Sequence, residues 1–152
     1  MKAKANEFKD IAIWGHPPPP YGGMTIHISR LLPRLIDENI SVQMYSISKE
    51  APNHNLVKNI SKSKVKWYLR LLIGSGENTH YIVSGKPIVR FLASMLTVLR
   101  GRKVIFQIGG WSLKRNVSKG NIIKKYLTLF AIRNATVIIA VNKEIYDYAI
   151  SL

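Results

Sequence analysis

The sequence predicts an α/β protein with a Rossmann-like parallel sheet flanked by helices. Three observations carry that expectation. Short apolar runs alternate with helix-period patterns along the whole chain. The runs are continuous, as in strands buried on both faces. Most of them close on glycine, which marks the turn into the next helix.

The elements follow in order. Asp10-Ile11-Ala12-Ile13-Trp14 is an apolar run ending at Gly15 and reads as the first strand. Gly15-His16-Pro17-Pro18-Pro19-Pro20-Tyr21-Gly22-Gly23 is an extended loop, because four prolines fit neither a helix interior nor a central strand. A helix is expected from about Met24, with Ile28, Leu31, Leu32, Leu35 and Ile36 on one face. Pro33 should kink or shorten it, and Asn39 stands where a left-handed cap belongs, with Ile40 as the hydrophobic stop. Val42–Ile47 reads as the second strand, and the polar stretch Ser48–Ser63 as a loop. A helix over Val65–Ile73 is broken by Gly74-Ser75-Gly76.

A strand over His80–Ser84 follows, closed by Gly85. Pro87 suits the first turn of the next helix, whose face carries Ile88, Phe91, Leu92, Met95, Leu96 and Leu99 and which stops at Gly101. Val104–Ile108 is a strand closed by Gly109-Gly110, Ile122–Arg133 a helix, and Thr136–Val141 the last strand. Asn142 is placed to cap a final helix from Lys143. Strict alternation with helical connections implies right-handed parallel crossovers. Residues 1–152 read as one domain with no internal repeat or linker, and the sequence stops inside its last helical pattern, which suggests truncation.

Composition excludes several function classes. The chain has no cysteine, so thiolate metal sites and cysteine nucleophiles are out. Its longest apolar stretches fall far short of the ~20 residues that span a bilayer. The charged N-terminal residues do not resemble a signal peptide, consistent with a cytoplasmic protein. His16, His27, His54 and His80 show no metal-ligand spacing, and no metal is expected. The strongest bulk signal is charge: 23 Lys and Arg against 8 Asp and Glu give +15. Such a field attracts polyanions, whether nucleic acid, anionic lipid or phosphorylated ligands.

In doubly wound sheets the ligand sits at the carboxyl ends of the strands. There, Gly22 and Gly23 immediately precede a helix start, whose free amides and dipole favour phosphate. The spacing of Gly15, Gly22 and Gly23 is not the dinucleotide fingerprint, and Ser46-Ile47-Ser48 lacks the ribose-binding acid, so a nicotinamide enzyme is not expected. There is no Walker lysine motif either. Lys62, Lys64, Lys66 and Arg70 around Trp67 and Tyr68 suit an anionic membrane surface.

The segment Trp14–Met24, followed by an amphipathic helix and a strand, resembles the opening of glycosyltransferase family 4 enzymes. Lys103–Trp111, the helix to Arg133 and Asn134–Asn142 fit the same template in the same order. The resemblance covers nearly the whole chain. It implies the N-terminal, acceptor-side half of a GT-B fold, which pairs two Rossmann-like domains across a cleft. It further implies a retaining, metal-independent transfer of sugar from a nucleotide-sugar to a glycan or lipid-linked acceptor, in cell-surface polysaccharide or glycolipid synthesis. No cofactor is expected. Gly22, Gly23 and Met24 would meet the donor phosphate, with His16 and Tyr21 at the cleft rim. The strand ends add Ser84, Gln107, Gly109, Gly110, Trp111 and Asn142 to the acceptor side.

The sequence departs from the family in two ways. Ile108, beside Gln107, stands where members often carry a histidine, leaving Gln107 or Trp111 to replace its contact. The donor-binding C-terminal domain is not in this sequence, so the half alone is expected to bind donor weakly and turn over little. No catalytic residue is assigned. The alternatives are a basic Rossmann-like nucleic-acid-binding domain and a non-catalytic subunit that meets a second transferase chain. No helix-turn-helix or RNA-recognition signature supports the first.

Overall fold

The computed structural model describes residues 10–16, 22–46, 57–59, 63–73, 76–109 and 112–152. The elements are β1 (Asp10–Trp14), α1 (Gly23–Asp37), β2 (Ser41–Ser46), β3 (Val57–Asn59), α2 (Lys64–Ile73), β4 (Thr79–Ile82), α3 (Pro87–Arg100), β5 (Lys103–Ile108), α4 (Ser112–Ser118), α5 (Ile122–Arg133), β6 (Val137–Ala140) and α6 (Lys143–Ile150). The six strands form one sheet in the order β3-β2-β1-β4-β5-β6. Every pairing is parallel, with Ile13 opposite both Met44 and Tyr81 at the centre. This is the doubly wound order, reversing direction between β1 and β4.

Alternate residues of β1 feed two cores. Ile11 and Ile13 join Ile28, Val42, Met44 and Tyr81 beneath α1. Ala12 and Trp14 join residues of α2, α3, α4 and α5 on the opposite face. One helix therefore covers one side of the sheet, and a continuous helical layer covers the other. Burying these aliphatic and aromatic side chains is the main stabilising term, about 1.5–3 kcal/mol for each fully buried large one.

Helix α1 runs through Pro33 to Asp37 and is not cut short. Pro33 is exposed, so water can reach the Ser29 carbonyl whose helical partner the proline removes. The end is a Schellman turn. Asn39 adopts φ 56°, its N–H donates to the Ile36 carbonyl, and the Ile40 N–H reaches the Leu35 carbonyl. Asn142 caps α6 as expected, its side chain accepting from the Ile145 N–H at 2.9 Å.

Three expectations need correction. The stretch read as a loop over Ser48–Ser63 contains β3, a short strand pairing with β2. Residues after Gly109-Gly110 form α4, whose seven residues are too few to show a helical period. The last strand was expected to be buried on both faces, yet β6 is a sheet edge with Val137 and Ile139 exposed.

One buried cation stands out in the helical layer. Arg90 is fully enclosed, and its three guanidinium nitrogens find no hydrogen-bond partner among the described residues. Burial lowers its pKa to about 10, so it remains charged at neutral pH.

A candidate cleft at the strand-order reversal

Between the carboxyl ends of β1 and β4 lies a cleft of about 250 Å³. Gly15 and His16 leave β1 along one wall, and Val83 to Lys86 leave β4 along another. Met24 and Thr25, in the first turn of α1, close a third side. Gly15 is closely packed, and a side chain there would push its neighbours by a few tenths of an ångström. A Cβ there would sit 3.1 Å from the Ile28 Cδ1 and 3.2 Å from the Val83 Cβ.

The floor is aromatic. Trp14 stacks on Tyr45 at 4.6 Å and meets Trp67 edge-on at 5.5 Å. Its indole N–H donates to His80 Nδ1 at 3.0 Å. That assigns the His80 proton to Nε2, which has no partner among the described residues. Burial, only partly offset by Glu77, pulls the His80 pKa down to about 4, so this histidine is neutral. Trp67 and Tyr68 bring the inner side of α2 to the cleft.

At the rim, His16 Nδ1 lies 3.1 Å from the Ser46 hydroxyl. Desolvation first, and the Lys86 cation second, lower the His16 pKa. A neutral imidazole beside a lysine offers one donor and one acceptor, with positive charge supplied by Lys86.

Thr25 Oγ1 accepts from the Gly22 N–H at 2.8 Å, while first-turn amides of a helix have no intrahelical carbonyl to bond. Gly22 has an extended backbone, and a Cβ at Gly22 or Gly23 would meet nothing within 4 Å among the described residues. Neither backbone strain nor packing requires glycine at these two positions.

The structure gathers His16, Met24 and Ser84 at one cleft, with Gly22 and Gly23 at its edge. Other expected residues lie elsewhere. Gln107 is buried, and its Oε1 accepts from the Tyr81 hydroxyl at 3.3 Å, on the α1 side of the sheet. The same hydroxyl lies 3.0 Å from His27 Nε2, so a polar chain ties α1 to β4 and β5. Burial raises the Tyr81 pKa to about 12. Asn142 lines a separate hollow of about 350 Å³ between α4 and α6. Gly109 stands beside Val141. Tyr21, Gly110, Trp111 and Lys62 lie outside the described residues.

Trp67 requires a correction. It was expected at a membrane surface with Lys64, Lys66 and Arg70, but it is 5% exposed and packed on Trp14. Sequence reading also missed Thr25, Lys86 and the Trp14–His80 bond. Lys86 carried one available signal, its place just past a strand end beside Gly85.

Among the described residues no three His, Asp or Glu side chains gather as a metal site. No helix there is long and apolar enough to cross a membrane. The fold and cleft define a Rossmann-like α/β domain with a cleft at its switch point. No protein-family profile matches the chain, and no curated protein or solved structure matches it significantly.

Proposed function

We propose that this chain is the acceptor-side half of a GT-B glycosyltransferase of the family 4 type. Its cleft would face the diphosphate of a nucleotide-sugar, with a glycan or lipid-linked acceptor on the N-terminal side. The carrying observation is the pair Gly22-Gly23 at the mouth of the cleft, where the fold itself does not require glycine. A side chain there would instead obstruct whatever approaches the first-turn amides of α1. Lys86 adds positive charge, and the partly exposed Tyr68 ring, backed by the buried Trp14 and Trp67, offers apolar surface for a sugar or base. A second Rossmann-like domain, in the same chain or in a partner, would supply most donor contacts. Activity in polysaccharide or glycolipid assembly is part of the same proposal.

The test separates binding from folding. Uridine and guanosine diphosphate are titrated into the purified chain and followed by NMR shifts, alongside Gly23→Ala. Alanine is the better helix former, so this variant should match or exceed the wild-type melting temperature. The reading expects weak, millimolar-range binding by the wild type and at least a tenfold loss in the variant. Equal binding by both proteins, or none by the wild type, refutes it.

A further inference from the structure

Four of the helices over one face of the sheet, α2 to α5, are free of acid. From Ala51 to Lys143 the only acidic residue is Glu77, which precedes β4 and accepts the Tyr45 hydroxyl at 3.0 Å. Helices α2, α3, α4 and α5 contain no carboxylate at all. The acids that do occur in helices belong to α1 and α6. Helix α6, which packs on the same core, carries Glu144 and Asp147, so the acid-free stretch of that layer is α2 to α5.

Within that layer α2 is amphipathic twice over. Trp67 and Leu71 point into the core. The opposite side carries Val65, Leu69 and Ile73, which are 65%, 51% and 54% exposed. Spacing of four residues aligns these three in one stripe. Lys64, Lys66 and Arg70 are exposed beside it. The first turns of α5 repeat the combination, with Ile122, Ile123 and Tyr126 exposed next to Lys124 and Lys125.

We infer that the outer face of α2, helped by the start of α5, docks onto an anionic lipid surface. Both halves of the pattern are needed for that partner. Anionic headgroups attract the lysines and arginine, and the acyl boundary accepts the aliphatic stripe. A nucleic-acid backbone would satisfy only the charges and leave the stripe wet. The anchors are aliphatic; the tryptophan of the same helix works on the other side, in the cleft floor. The cleft thus lies one helix width, about 10 Å, from the docking face. A ligand held in the lipid could reach it. The surface rests on charge and exposure alone and stands whether or not the cleft transfers sugar.

The experiment is co-sedimentation of the purified chain with vesicles of phosphatidylcholine alone or with 30 mol% phosphatidylglycerol, at about 0.1 M salt where screening is moderate. Two variants accompany it, V65S/L69S/I73S and K64E/K66E/R70E, each checked by circular dichroism and thermal melting. The wild type should pellet only with the anionic vesicles. The charge variant should lose affinity on the order of a hundredfold. The serine variant, which keeps every charge, should lose about tenfold. Absence of wild-type binding, or a serine variant that binds vesicles like the wild type, overturns the inference. So does equal capture by neutral vesicles. If one variant fails to fold, the other variant and the vesicle comparison still decide.

Discussion

At the scale of single residues, His80 couples stability to pH. Its ring is buried and accepts the Trp14 indole proton, and its pKa falls to about 4. In the unfolded chain a histidine titrates near 6.5. Above pH 6.5 both states are neutral, and His80 adds no pH dependence. Between pH 6.5 and 4 only the unfolded state takes up the proton, so stability falls as pH falls. The loss should approach roughly 3 kcal/mol at pH 4. His16 shifts in the same direction and adds to the slope. Urea midpoints measured from pH 7 to pH 4 should decline, and His80→Gln should flatten most of that decline. An unchanged slope in the variant would assign the effect to other groups.

At the scale of elements, α1 carries a removable flaw. Pro33 denies the Ser29 carbonyl its helical partner, yet the helix continues to Asp37 because Leu31, Leu32 and Leu35 pack on the core beneath it. Tertiary packing outweighs the local cost, which runs to about 3 kcal/mol in a helix interior. Water at the exposed turn recovers part of it. Pro33→Ala should therefore stabilise the protein by about 1–2 kcal/mol, read as a higher urea midpoint with an unchanged slope. Destabilisation would mean that the proline shapes the helix to fit the sheet.

The elements also show how far sequence could reach. Strands β1, β4 and β5 were legible because both faces are buried, and the apolar run is then continuous. The Asn39 turn was legible because few residues tolerate φ 56°. Strand β3 was not, since its three residues lie in a polar stretch and pair only with β2. Helix α4 was not, since burial of Leu113 and Asn116 shows only when α4 meets its neighbours; Asn116 donates to the Gly85 carbonyl.

At the scale of the whole molecule, charge is the governing quantity. Lys114 and Glu144 form an ion pair at 3.6 Å, with both side chains half exposed or more. Such a pair contributes at most about 1 kcal/mol. With a net charge of +15, repulsion among the excess cations opposes the compact state. Raising sodium chloride from 20 mM to 0.5 M should screen that repulsion and raise the melting temperature by a few degrees. A falling melting temperature would show that attraction outweighs repulsion across the surface.

The sequence by itself determined the Rossmann-like class, the element order for most of the chain and the excess of positive charge. These follow from periodicity and composition, which are local properties. It also marked Gly22-Gly23 and the strand ends as places for a ligand. Only the tertiary structure decided which strand ends converge. His16, Ser84 and Lys86 meet because β1 pairs with β4 across a sequence separation of 66 or more, as the Trp14–His80 bond shows. It decided that Gln107 turns toward Tyr81 and that Trp67 faces inward, because a residue's side of the sheet or helix depends on what packs there. It also collected the acid-free helices on one face, because right-handed crossovers from β3 onward place them all on the same side.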